Sequence, residues 1–298
     1  MGLGSAQYAP GRLFRVPSWP TASAAQKQNP LPHPETRWCF IRGRCHCWSA
    51  APVWGAALKR AAPKPISDEA YCPFHYVETP AALGALANRL ARGDILEMAL
   101  DLKGLHLHSI WMIQMTIRFS ATSAGLDDGE TKYVYADYLI DPVPLKHLIA
   151  DALRPSLENP RIVKIMHTSS ENIAWLQRDF NLFVVNLMDT SDGASLFGGR
   201  RNMHYLLDKY CGVKVSKESR VASWKERPLP SIVLKHSRED THYLPFLYDA
   251  LRAEVQLNAT TCARGVSDLV AWFHLGRQRA LKVANKEALG AQRHINPQ

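Results

Sequence analysis

Between Thr79 and Leu187, short apolar runs alternate with stretches of helical spacing, and that alternation leaves few architectures open. Ile162–His167 is apolar and β-branched and follows the turn signal Asn159-Pro160. A run of this kind reads as a parallel strand covered on both faces. Upstream, Leu83, Leu86, Ala87 and Leu90 recur at helical spacing, with Thr79 placed to cap, Pro80 at the first helical position and Gly93 as the stop. Leu96–Leu102, Trp111–Phe119 and Tyr133–Ile140 read as strands, the last entered from a turn at Gly125–Gly129. Pro144–Leu153 and His167–Arg178 read as helices, and Phe183–Leu187 as a short strand. Further helices are expected over Ser191–Phe197, Met203–Tyr210 and Pro230–Val255. The alternation gives an α/β three-layer domain, with helices flanking a sheet.

At 298 residues the chain has room for one substantial domain and extensions. No run approaches the roughly 18 apolar residues of a membrane-spanning helix, so a membrane partner is not expected. The net charge of +9 suits a polyanionic partner, because Lys and Arg on phosphates release counterions. Residues 1–66 form a basic, Ala/Pro/Ser-rich extension in which Glu35 is the one acid. Its prolines discourage regular structure, and its acid-poor character resembles an organellar transit peptide, which makes the mitochondrion one expected location. The six cysteines show no disulfide framework and read as reduced intracellular thiols. Cys39, Cys45, His46 and Cys47 cluster, but their spacing does not match a standard zinc finger.

Three motifs carry chemistry. Asp101 and Lys103 stand two residues apart on one strand and therefore on one sheet face. His167 is followed five residues later by Asn172, in a helix that continues into Trp175-Leu176-Gln177. Trp224 precedes Arg227-Pro228-Leu229-Pro230, and His236 stands four residues before Asp240-Thr-His-Tyr243. In this order the motifs resemble the RNase D-like, DEDD-type 3′-5′ exoribonucleases, and among these the catalytic subunit of the nuclear RNA exosome. The resemblance runs from about Tyr71 to Lys286.

The resemblance implies an RNase H-like exonuclease domain over residues 67–256 and a helical basic tail over 257–298, without the family's HRDC domain. It also implies Mg2+ or Mn2+ as cofactor, single-stranded RNA as ligand, the exosome or another RNA-processing complex as partner, and the nucleus as location. The family's four carboxylates are not all here. Asp101 and Asp240 match. Lys103 stands where the family has Glu, Asn172 where it has Asp, and His236 where it has the Tyr base. Glu171 is adjacent, but a neighbour on a helix is turned about 100° away. Two divalent cations bring four positive charges to be met by carboxylate oxygens. Two acids and one lysine leave the site with a net charge of minus one.

Three functions follow from different classes. The first is a degenerate exonuclease that binds RNA, with Lys103 on a phosphate and Trp175 and Tyr243 as stacking surfaces. The second is an active exoribonuclease in which Asp101 and Asp240 hold a metal and His236 is the base. The third is a structural subunit of a larger particle. The Lys103 ammonium either takes the place of one cation or meets an RNA phosphate.

Overall fold

The computed structural model describes residues 66, 72–104, 110–121, 132–196, 198–214, 224–261 and 271–282, and two short strands at 39–41 and 44–46. Those two, β1 (Cys39–Ile41) and β2 (Arg44–His46), pair antiparallel. The rest of the N-terminal extension, and the side chains of the cysteine cluster, lie outside the described residues. So does the turn at Gly125–Gly129.

The sheet has six strands: β3 (Phe74–Val77), β4 (Ile95–Gly104), β5 (Ile110–Ala121), β6 (Lys132–Ile140), β7 (Val163–Met166) and β8 (Leu187–Asp189). Their order is β3-β6-β5-β4-β7-β8. Strands β4, β5 and β6 form an antiparallel meander, β3 runs parallel to β6, and β7 and β8 continue parallel to β4. Only β5 opposes the others, so five strands present their carboxyl ends along one edge. Ligands of open α/β sheets bind at such an edge.

Period-two alternation along β4 splits its side chains between two cores. Met98, Leu100 and Leu102 join Leu83, Leu86, Ile149, Leu153, Ile173 and Leu176. The last six come from α1 (Pro80–Leu90), α3 (Ile149–Leu157) and α4 (Ser170–Phe180). Ala99 faces the other way, onto Ala194, Leu206, Leu247 and Leu251. These belong to α5 (Thr190–Leu196), α6 (Met203–Cys211) and α9 (Leu244–Thr261). Asp101 and Lys103 share the parity of Ala99 and so stand on this second face. Helices on both faces of a mixed sheet give the expected three-layer α/β architecture.

Several expected elements differ. The helix expected over Pro144–Leu153 is two, α2 (Pro142–Leu145) and α3, because Asp141 caps the Val143 amide at 3.0 Å and Pro142 starts a turn of its own. The strand expected over Phe183–Leu187 pairs only from Leu187. Leu182 and Val184 are apolar because that connection is buried, and Asn186 at φ 59° turns the backbone out of strand geometry. The long helix expected over Pro230–Val255 is three: α7 (Ser231–His236), α8 (Glu239–His242) and α9. Gln114 takes the Ser237 carbonyl at 2.6 Å, and Arg238 turns inward to Asp137 and to the carbonyls of Cys72 and Ile66. Pro245, the second residue of α9, has no amide with which to continue the helix from before.

Helix α9 runs past residue 256 to Thr261. A helix over 271–282, here α10, carries Trp272 fully buried among Ala99, Ile165 and Met188, and its Nε1 donates to the Asp189 carbonyl at 2.8 Å. Gly193 makes room for that indole, since a Cβ there would lie 2.4 Å from the ring. Arg279 on the same helix binds both Asp192 oxygens at 2.5 Å. No described helix is long and apolar enough to cross a membrane.

Two buried charge clusters fix α8 and α9 to the sheet. Arg118 on β5 binds both oxygens of Glu97 on β4, at 2.7 and 2.6 Å, and also Asp249 on α9. Asp137 on β6 accepts from Thr116 at 2.7 Å, from Arg238 at 2.6 Å, and lies 2.9 Å from His242 Nδ1. Lys164 on β7 is a third buried basic side chain. It is fully buried, and its amine reaches the carbonyls of Ser156 and Asn159 at 3.3 and 2.6 Å, where α3 ends.

Two outcomes test this packing. Trp272→Ala should destabilise the domain by about 3–5 kcal/mol in urea denaturation, as loss of a buried indole does. A cost under about 1 kcal/mol would show that α10 is not part of the core. Burial lowers the Lys164 pKa to about 7 from its ordinary 10.5. Unfolding between these values therefore takes up a proton, so stability contributed here rises with pH across that window. Wild-type stability relative to Lys164→Met should increase from about pH 7 to about pH 9, and a flat difference would contradict it.

Candidate functional site

Beyond Ala99 on the second face of β4 come Asp101 and Lys103, at the carboxyl edge. The Lys103 ammonium lies 2.7 Å from Asp101 Oδ2 and 2.8 Å from Asp240 Oδ2, so one cation joins strand β4 to helix α8. Asn172, on the first turn of α4, donates through Nδ2 to the other Asp101 oxygen at 2.9 Å. Opposite Asp101 in the β4–β5 register stands Gln114, which donates to Asp240 Oδ2 at 3.1 Å and to the Ser237 carbonyl. The Trp224 ring covers the ammonium, with its centroid 5.4 Å from Nζ. Lys103 is about three-quarters buried. Burial alone would lower its pKa, but the charges and hydrogen bonds of Asp101 and Asp240 outweigh that and hold it above the ordinary lysine range.

Asp189, at the end of β8, builds the floor on the α4 side. It is fully buried, and its carboxylate accepts from the Thr168 and Ser169 amides at 3.0 and 2.8 Å and from the Ser191 amide at 2.9 Å. One side chain therefore satisfies amides at the starts of both α4 and α5, where helix ends otherwise leave donors unpaired. Burial would raise its pKa, but the Ser169 and Ser191 donors and Arg279 keep it below the usual carboxylate range. His167 Nδ1 sits 2.8 Å from Thr190 Oγ1, and burial pushes the imidazole below its ordinary pKa.

Asp101, Lys103, Asn172 and Asp240 are thus brought together. His236 is the last residue of α7, and its side chain lies outside the described residues. Glu171 is exposed and makes no part of the cluster. Trp175 and Tyr243 are buried, Trp175 in the first core and Tyr243 edge-on to His242 at 4.7 Å. Neither ring presents a face to solvent, which stacking would require. Gln114 and the contact of Trp224 with Lys103 went unnoticed in the sequence. The signal for Gln114 was its place opposite Asp101, legible only once the β4–β5 register is known.

A second group, Cys72, Asp137 and His242, has ligand atoms close enough for one metal ion. The chemistry points elsewhere. The Arg238 guanidinium already supplies a positive charge to Asp137, and burial raises the Cys72 thiol pKa far from the thiolate that a metal needs. This cluster is a hydrogen-bonded tie between α8 and the sheet.

The divalent cations that the resemblance implies do not fit the residues present. Asp101 Oδ2 and Asp240 Oδ2 face an ammonium, and Asp101 Oδ1 faces an amide donor. Two acids with one lysine leave a net charge of minus one where two dications would bring plus four.

A family described as 3′-5′ exonuclease matches residues 74–256. Human exosome complex component 10 is 32% identical over 201 residues, which cover 67% of this chain and 21% of that protein. Protein RRP6-like 1 of Arabidopsis thaliana is 32% identical over 216 residues, covering 72% of this chain and 32% of its own length. The chain thus spans about a fifth to a third of these curated relatives. Among solved structures, the catalytic core of RRP6 from Trypanosoma brucei superposes with a TM-score of 0.60 at 23% identity, over 89% of this chain and 71% of that one. Escherichia coli RNase D gives 0.51 at 20% identity, over 70% and 50%. The superpositions speak for the fold, and the family match with the sequence relatives for descent: the chain belongs to the 3′-5′ exonuclease family, in its RRP6- and RNase D-like branch.

Proposed function

We propose that this chain is a 3′-5′ exonuclease-family module that binds single-stranded RNA without hydrolysing it, its reaction centre being closed by its own lysine. The observation that carries this reading is the Lys103 ammonium between Asp101 and Asp240. A cation entering there must displace an ammonium that both carboxylates hold in its charged form. Asn172 offers an amide hydrogen to Asp101 where an acid would offer charge to a metal. With a chain charge of +9, attraction to a phosphate backbone survives the loss of chemistry.

The partner follows the same line. Several relatives are named as components or exonucleases of the exosome complex. We place this chain with that assembly or a similar RNA-processing complex, in the nucleus, as an RNA-binding or scaffolding subunit.

Purified protein, a 5′-labelled single-stranded RNA and either Mg2+ or Mn2+ provide the test. Salt-sensitive binding without shortening is expected. Lys103→Glu with Asn172→Asp should leave the metal-free protein no more stable, because four clustered acids repel, and Mg2+ should then raise its melting temperature. Mg2+ should leave the wild-type melting temperature unchanged. Adding His236→Tyr to the double variant should give slow, distributive trimming. Rapid trimming by the wild type, abolished by Asp101→Asn, would overturn the reading in favour of an active enzyme with two carboxylates. Absence of RNA binding would leave the structural-subunit reading.

A further inference from the structure

Next to the Lys103 centre, along the same carboxyl edge, lies a groove of about 380 Å³, at the small end of the range of ligand pockets. Trp111, the second residue of β5, lines it. The exposed Lys225 holds its ammonium 4.5 Å from the centre of the Trp111 ring. Val143, 63% exposed, and Pro144 form an apolar wall, and Glu78 stands at the rim beyond β3.

The groove is rigidly built. The Arg227 guanidinium binds Asp141 and donates to the carbonyls of Trp224, Glu226 and Trp111, at 3.0, 2.8 and 3.1 Å. Tyr76 donates to the same Asp141 at 3.3 Å. The segment carrying Trp224 and Lys225 is thus pinned to the start of β5. Asp141 is neutralised by Arg227 and does not repel an anion. The groove also lies near the Lys103 centre: Lys103 pairs across the sheet with Met112, next to Trp111, and Trp224, next to Lys225, covers the Lys103 ammonium.

We propose that this groove takes one base of a single-stranded RNA whose backbone passes the Lys103 centre. The inference rests on the RNA-binding reading above. In this structure the exposed Lys225 lies over the Trp111 ring, and a base takes that face when the lysine swings from the ring to the phosphate that follows. The base lies on Trp111 against Val143 and Pro144, and Lys225 meets the phosphate. Trp111 is a stacking platform that binds any base, so the groove adds affinity without sequence preference.

Fluorescence anisotropy with a labelled single-stranded oligoribonucleotide tests this across a salt series. Trp111→Ala should weaken binding roughly ten-fold with an unchanged salt slope, whereas Trp111→Phe should stay within about three-fold of the wild type. Lys225→Met should lower the slope of log affinity against log salt by about 0.7, the value for one phosphate on a single strand. An oligonucleotide abasic throughout should bind the wild type and Trp111→Ala alike. Wild-type affinity retained by Trp111→Ala would overturn the groove and leave the RNA-binding function standing. Should that variant fail to fold, an unchanged salt slope for Lys225→Met would overturn it equally. No salt-sensitive binding by the wild type would remove both the groove and the function on which it rests.

Discussion

Asp101 and Asp240 come from a strand and a helix far apart in the chain, and two carboxylates directed at one point repel unless a cation stands between them. Here the cation is covalently part of the strand. Lys103 shares the face of Asp101 because strand side chains alternate, and its four-carbon stem lets the ammonium reach both acids. The arrangement around it follows from that placement. Helix α8 approaches β4 closely enough for Asp240 to bind Lys103, and Gln114 on β5 holds the same acid and the Ser237 carbonyl just before it. Trp224 closes the cation from above.

The surrounding scaffold solves its charge problems separately. Arg118 answers Glu97 and Asp249, Arg238 answers Asp137, and Arg279 answers Asp192. Each guanidinium has a fork geometry that fits carboxylates, and each sits where a helix meets the sheet or another helix. None takes part in the Lys103 cluster. These ties hold α8, α9 and α10 in addition to the Lys103–Asp240 contact, so the docking of the helices does not rest on the Lys103 cluster alone.

Much of the fold was legible because its signals are local. The Thr79 cap, Pro80 and the helical spacing of Leu83, Leu86 and Leu90 identify α1 without tertiary knowledge. The apolar run ending at Met166 identifies a covered parallel strand in the same way. What stayed hidden depends on partners distant in sequence. Leu182 and Val184 look like a strand because burial of a loop and burial of a strand demand the same residues. The breaks in the segment 230–255 arise where Arg238 reaches Asp137, a residue about a hundred positions away. Trp272 looked like part of a tail because nothing local announces that Gly193 has left space for an indole. In the site, the identities of Lys103 and Asn172 were legible, and their hydrogen-bond partners were not.

The two replacements act on one carboxylate. An ionised acid at position 172 would bring a second negative charge against Asp101 Oδ1, whereas the Asn172 amide donates a hydrogen bond to that oxygen. Lys103 satisfies the opposite oxygen of the same group. Asp101 is therefore matched on both sides by donors from this chain. A lone lysine beside three acids would leave a net charge that still invites a dication, and a lone asparagine beside three acids would leave more. Together the ammonium and the amide cut the net charge to minus one and occupy both Asp101 oxygens and one of Asp240, so a dication would meet less charge and fewer open oxygens here than among four acids.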